Sequence, residues 1–137
     1  MKINAVISFL ESIAHPSLQE QYDNAGLIIG NADAECNGIL CSLDTTEDVI
    51  REAIEKKCNL VVSHHPILFS GLKKINGKNY VDQAIIAAIK NDIALYAIHT
   101  NLDNIAGGVN GRMAELLGLQ RTSILSPKEN ILKKLFT

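Results

Sequence analysis

The feature that most constrains the fold of this chain is a short apolar run that ends in two histidines and a proline, residues 59–66 (NLVVSHHP). Apolar residues bounded by turn formers predict a buried strand of an α/β sheet. Because Pro66 has no N–H group and cannot continue a central strand, we expect the strand to end at the histidines. His64 and His65 would then lie at the carboxyl end of a strand, where open α/β sheets usually bind ligands.

Two further segments repeat this arrangement of a strand that runs into polar side chains. Residues 93–103 (IALYAIHTNLD) read as a strand that enters His99, with Asp103 four positions later, and residues 38–44 (GILCSLD) read as a strand that ends in Asp44. Helical patterns between the three strands give two βαβ units, which require parallel pairing and right-handed crossovers. The sequence therefore predicts an α/β fold with a mostly parallel, or mixed, sheet and flanking helices.

The remaining segments complete the predicted organisation. They are an amphipathic helix, a short strand, a long connection, a second helix and another short strand, at residues 2–14, 27–30, 67–78, 109–117 and 122–125. His15 is expected to be a capping or surface residue, and Gly118 to end the helix before it. The long connection is a candidate flap over the histidines. The tail at residues 129–137 becomes apolar again, as though a new element began there.

Length and composition limit the function classes. The 137 residues are expected to form one α/β domain, 1–137. A net charge of −2 gives no strong nucleic-acid signal, and no apolar run approaches the roughly 20 residues of a membrane span. The three cysteines lack C-x-x-C spacing, so Cys41 and Cys58 are predicted to be free core thiols. A reducing, cytoplasmic location is therefore expected.

The histidine pair allows more than one interpretation. Ideal strand residues alternate between faces, so His64 and His65 cannot both reach one cation from a regular strand. Either each binds a different ion of a dinuclear site, or the chain twists at Pro66 and brings both to one ion. Without metal, one ring would be buried against backbone and the other exposed. Imidazole suits zinc, iron, nickel or copper, and an added carboxylate also admits manganese.

The acidic residues and glycines near the strand ends are also ambiguous. Asp103 is a candidate ligand, with His99 or Thr100 as a group that orients ligands or substrate. Alternatively, Asp103 caps the following loop, residues 102–110, in a local turn. Asp44 is expected to be a helix cap more often than a ligand. The pair Gly107-Gly108 would let backbone amides approach a phosphate, but it lacks the lysine of a P-loop.

Five segments together resemble the amino-terminal part of the NIF-three-like family, also called the GTP cyclohydrolase I type 2 homologues. They are QYDNAGLIIG, CSLDTT, NLVVSHHPILF, LYAIHTNLDNIAGGVN and ELLGL, and they occur in the family's order over essentially the whole chain. The SHHP and HTNLD motifs in combination are specific. One departure is Tyr22, where many relatives carry tryptophan. The resemblance implies a dinuclear-metal α/β protein.

The resemblance also implies a ligand set and an assembly. The family's adjacent histidines and the aspartate after HTNL fall on His64, His65 and Asp103, as ligands of two divalent ions (zinc, iron, manganese or nickel). The remaining ligands, a histidine and a glutamate, lie near the family's carboxyl end, so this chain is expected to be an amino-terminal portion. A cytoplasmic homohexamer that hydrolyses a nucleotide-like substrate is implied. The alternative is a ring-forming binding or regulatory protein with structural metals.

Overall fold

The apolar run before the histidines forms the centre of a four-stranded mixed sheet in the computed structural model, which describes residues 1–124. The strands are β1 (Gly26–Ile29), β2 (Ile39–Ser42), β3 (Leu60–Ser63) and β4 (Ala94–Ala97). The helices are α1 (Ile3–Ile13), α2 (Glu47–Glu55), α3 (Tyr80–Lys90), α4 (Thr100–Asp103) and α5 (Val109–Leu116), with a 3₁₀ turn at Pro16–Leu18. All four residues of β3 are buried, as a strand covered on both faces requires.

Strand order confirms the two predicted βαβ units. The sheet order is β1-β4-β3-β2, and β3 pairs in parallel with β2 on one side and with β4 on the other. Strand β1 pairs antiparallel with β4, so the sheet is mixed. In the parallel β3–β4 pair Ser63 lies beside Ala97, and both strands therefore end at the same edge of the sheet.

Side chains alternate between two apolar layers along the central strands. Leu60, Val62 and Tyr96 pack on the face that α1 covers. Val61 and Leu95 pack on the opposite face with residues of α2 and α3. This period of two is the expected consequence of strand geometry, and it accounts for the continuous hydrophobicity of the central strands.

Local capping explains where α2, α3 and the 3₁₀ turn begin and where α5 ends. The Thr46 hydroxyl accepts a hydrogen bond from the Val49 amide at 3.3 Å and caps α2, and Asn79 caps α3 in the same way. His15 Nδ1 accepts from the Ser17 amide at 3.1 Å, which confirms its predicted capping role. Gly118 follows α5 with φ of +69°, a left-handed conformation that favours glycine, so the predicted helix stop is confirmed.

Three local predictions were wrong. Cys41 is exposed because β2 is an edge strand of which one face is uncovered, so it is no core thiol. The loop that was expected at residues 102–110 begins later, because Thr100–Asp103 form the helical turn α4. Residues 122–124 are not a strand, and Leu125 and the tail at 129–137 lie outside the described residues. Among residues 1–124, no helix combines the length and apolarity needed to cross a membrane.

The buried phenol of Tyr96 gives a test of the packing described above. Burial, with a smaller effect from the charge of Glu11, raises the pKa of Tyr96 to about 12. Because the folded state holds this proton more tightly, the associated stability is complete below the unfolded pKa near 10. It is lost as pH rises through about 12, by roughly 2–3 kcal/mol.

The Tyr22→Phe/Tyr80→Phe double variant isolates this group, since the chain has three tyrosines. Absorbance of tyrosinate should then rise with a midpoint near 12. Circular dichroism on the same samples monitors the fold. A midpoint near 10 in a chain that is still folded would contradict the buried environment of Tyr96.

Candidate metal centre

Three histidines come together at the edge where β3 and β4 end. His64 and His65 directly follow Ser63, and His99 follows β4 two positions after Ala97. The ring centroid of His64 lies 4.8 Å from that of His65 and 5.1 Å from that of His99, and the centroids of His65 and His99 are 5.5 Å apart. We refer to these three residues as the histidine cluster.

Each ring in the cluster is held through Nδ1 by an oxygen atom. His64 Nδ1 lies 3.1 Å from the Ile98 carbonyl oxygen. His65 Nδ1 lies 2.7 Å from Asp44 Oδ1, and His99 Nδ1 lies 2.8 Å from an Asp23 carboxylate oxygen. Carbonyl and carboxylate oxygens only accept hydrogen bonds, so Nδ1 donates in each case and Nε2 of a neutral ring keeps a free lone pair. This arrangement is the usual way in which proteins orient metal-binding histidines.

The spacing of the nitrogens suits metal coordination. One ring nitrogen from each histidine lies within 4.8 Å of the other two. Ligands around one tetrahedral zinc ion are separated by about 3.3 Å, so the nitrogens would have to approach one another by up to about 1.5 Å to share an ion. Two ions about 3.5–4 Å apart would need less movement. The donors present therefore fit a divalent ion of the kind that imidazole prefers.

Asp103 lies beside the cluster as a further oxygen donor. Its Oδ1 atom is 3.8 Å from His64 Nε2, and its side chain is partly exposed. The α4 turn places it there, and the Asn110 side chain donates to the Asp103 carbonyl at 3.0 Å. A cavity of about 500 Å³ lies between α4, α5 and residues 122–124, with Asp103 in its wall. Asp103 thus lies between the histidine cluster and this space.

The two adjacent histidines both reach the cluster because β3 ends before them. The strand stops at Ser63, whose hydroxyl donates to the His65 carbonyl at 2.9 Å. Strict alternation between faces therefore does not apply to His64 and His65. The rings' geometry is compatible with one ion or two.

Two acidic residues have roles that the sequence did not suggest. Asp44 was expected to be a helix cap, but Thr46 is the cap and Asp44 binds His65 instead. Asp23 lies in the polar segment before β1 and is fully buried at its side chain, where it binds His99. It also accepts hydrogen bonds from the backbone amide and the hydroxyl of Thr100. His99 and Thr100 are more than 70 positions from Asp23 in sequence, so periodicity could not predict these contacts.

The hydrogen bonds to Asp23 keep this buried carboxylate ionised. Burial acts to raise its pKa, but the hydrogen bonds from His99, Thr100 and the Asn24 amide together hold the pKa below its usual range. A negative Asp23 in turn favours the His99 tautomer with hydrogen on Nδ1. His99 Nε2 is therefore left free to bind a metal ion. His99 is a candidate ligand as well as the orienting group that was predicted.

Comparisons with known proteins agree with this architecture. The model of the family described as Duf34/NIF3 (NGG1p interacting factor 3) matches residues 1–136. A GTP cyclohydrolase 1 type 2 homolog of Clostridium acetobutylicum is 40% identical over 134 residues, 98% of this chain and 50% of the relative. The chain thus spans about half the length of that relative.

Solved structures give the same result. The crystal structure of a Bacillus cereus protein related to NIF3 superposes with a TM-score of 0.89 at 41% identity, covering 93% of this chain and 36% of that one. Reduced HcgD from Methanocaldococcus jannaschii superposes with a TM-score of 0.84 at 32% identity, covering 92% of this chain and 50% of that one. The predicted resemblance is therefore confirmed, and the chain belongs to the Duf34/NIF3 family.

Proposed function

We propose that the histidine cluster and Asp103 are this chain's contribution to a dinuclear metal centre, with which the whole protein hydrolyses a nucleotide-like substrate. The observation that carries the proposal is the orientation of the cluster. Three rings are fixed by separate oxygen atoms at Nδ1, and one nitrogen of each ring lies within 4.8 Å of one nitrogen of each of the others. Core packing alone gives no reason for three such rings to converge at one sheet edge.

The donor set indicates which ions are suitable. Imidazole nitrogens with one carboxylate suit zinc, iron, nickel or manganese. Bound divalent ions would supply a water of lowered pKa and polarise the substrate. His64, His65 and Asp103 are the ligands that the family resemblance implies, and His99 is added from its place in the cluster. A later histidine and glutamate of the whole protein would complete the coordination.

The proposed reaction rests on the chemistry of metal-assisted hydrolysis and on the names of the relatives. Curated relatives carry the name GTP cyclohydrolase 1 type 2 homolog, and we infer a nucleotide-like substrate from it. Chain residues would fix the ions, while Asp23 and Asp44 keep the rings oriented. The alternative is a cytoplasmic ring-forming hexamer that binds a partner protein and whose metals are structural. The family's description as an interacting factor supports this alternative.

A substrate panel with and without chelator separates these two functions. The purified whole protein is loaded with zinc, manganese or iron and incubated with nucleoside triphosphates and phosphoesters. We expect product formation that stops when the chelator removes the metal and returns when metal is restored. Persistent inactivity of fully metal-loaded protein would overturn the hydrolase and favour the binding function.

The Asp23→Asn variant tests how the cluster is oriented. Asparagine keeps the side chain's shape but removes the charge that favours hydrogen on His99 Nδ1. We expect divalent-metal affinity to fall by about 10- to 100-fold, as it does when supporting partners of ligating histidines are lost. Isothermal titration with zinc measures the change.

Asp33→Asn is the matched control, because Asp33 is an exposed carboxylate paired only loosely with Lys2 at 3.7 Å. Its metal affinity should equal that of the wild type. Equal affinities in the Asp23→Asn variant and this control would show that Asp23 does not support metal binding.

A further inference from the structure

We infer that Tyr22 and Phe69 form an aromatic wall beside the metal centre that stacks against a flat heteroaromatic ring of the substrate, such as a purine base. This inference rests on the proposed function and specifies its substrate class. The Phe69 ring centroid lies 6.2 Å from that of Tyr22 and 6.4 Å from that of His99. A molecule whose reacting bond is at the histidine cluster would therefore touch these rings.

The wall is tied to the cluster by its neighbours in sequence. Tyr22 is followed by Asp23, which holds His99, and by Asn24, whose side-chain amide donates to the Leu68 carbonyl at 2.7 Å. Leu68 directly precedes Phe69, so one short segment fixes both rings relative to His99. Such ties make the wall a positioned surface.

Exposure distinguishes these rings from core aromatics. Tyr22 is 66% exposed and Phe69 is 55% exposed, whereas the aromatic ring of Tyr96 is buried. Small-molecule sites are lined mainly by hydrophobic and aromatic side chains with a few polar groups, and Tyr22, Phe69 and the histidine cluster supply both kinds together. Stacking of one base on an aromatic side chain contributes enough to change affinity by about 5- to 150-fold.

Binding of guanosine or adenosine monophosphate, each compared with ribose 5-phosphate, tests the wall. We expect the wild-type protein to bind at least one of the two nucleotides more tightly than the sugar phosphate, by about 10-fold or more. Phe69→Leu should weaken nucleotide binding by about 5- to 150-fold and leave ribose 5-phosphate binding unchanged. Phe69→Tyr should restore nucleotide binding, because it restores a stacking face.

A Tyr22→Trp variant provides a spectroscopic measurement. The chain contains no tryptophan, so the introduced indole is the only one and reports directly on the wall. Its fluorescence should be quenched by the nucleotide and not by ribose 5-phosphate.

Phe9→Leu and Tyr80→Leu are matched controls for Phe69→Leu, since Phe9 and Tyr80 are more than 60% exposed and lie on α1 and α3. Both should bind the nucleotide like the wild type.

The outcomes separate this inference from the metal centre. Nucleotide affinity that is unchanged in Phe69→Leu, or no preference for either nucleotide over ribose 5-phosphate, would overturn the wall even if zinc binds normally. If the wild-type protein did not bind zinc, but bound the nucleotide in chelator with an affinity that depends on Phe69, the wall would be supported and the proposed metal centre overturned. Metal content is measured in every variant, and Phe69→Leu should retain it.

Discussion

The His64→Ala/His65→Ala double variant is expected to lose divalent-metal binding. It removes two of the three rings that converge at the edge of the sheet, and a single remaining histidine with Asp103 is too weak a donor set. The loss of affinity should exceed the roughly 100-fold that follows from disturbing a supporting hydrogen bond. Metal content per chain, measured by atomic emission after equilibrium dialysis, reports the result.

His15→Ala is the matched control for this experiment. His15 is the one other histidine of the chain, and it caps the 3₁₀ turn at Pro16–Leu18. Its removal should cost about 0.5–1.5 kcal/mol of stability through the lost hydrogen bond from the Ser17 amide, with no loss of metal. Equal metal content in the double variant and the wild type would exclude the histidine cluster as a metal site. Unfolding in chelator, compared with the wild type, shows whether the double variant is folded.

Patterns local in sequence predicted the frame of the site. The apolar runs of β3 and β4 and the helices between strands follow from periodicity, and parallel pairing follows from βαβ connections. Because parallel strands end at one edge, His64, His65 and His99 could be expected to meet there. Asp103 was predicted beside them and lies 3.8 Å from His64 Nε2. These inferences needed only the spacing within each segment.

Contacts between distant segments could not be predicted in this way. Asp23 and His99 are 76 positions apart, and Asp44 and His65 are 21 apart, so no periodic pattern connects them. The exposure of Cys41 depends on β2 being at the sheet edge, which is a property of strand order. The end of β3 before His64 was predicted from Pro66, but where the two rings point beyond the strand depends on the oxygen atoms that hold them.

The glycine pair before α5 shows how packing resolves an ambiguous motif. A Cβ atom added to Gly108 would lie 1.9 Å from the Leu102 carbonyl oxygen, which is inside any allowed contact, and 2.9 Å from Ile105 Cγ1. A Cβ atom added to Gly107 would meet nothing within 4 Å. Gly108 is therefore required for the close approach of α4 and α5, and this accounts for one glycine of the pair without any phosphate.

Gly108→Ala should accordingly destabilise the protein and weaken its metal site. The clash is with backbone, so α4 must shift, and the residue after Leu102 is the candidate ligand Asp103. Overpacking of this kind costs about 1–3 kcal/mol, occasionally more. Urea unfolding measures the stability change, and titration with zinc measures the affinity, which we expect to fall as Asp103 moves away from His64.

Gly107→Ala is the control from the adjacent position. Its added methyl group has open space and its backbone is not in the left-handed region, so stability should be unchanged or rise by about 0.4–1 kcal/mol through reduced entropy of the unfolded chain. Zinc affinity should stay at the wild-type value. If both alanine variants lost stability equally, the close approach at Leu102 would not be the reason for glycine at position 108. If Gly108→Ala lost stability but bound zinc normally, zinc binding would not depend on the position that α4 gives to Asp103.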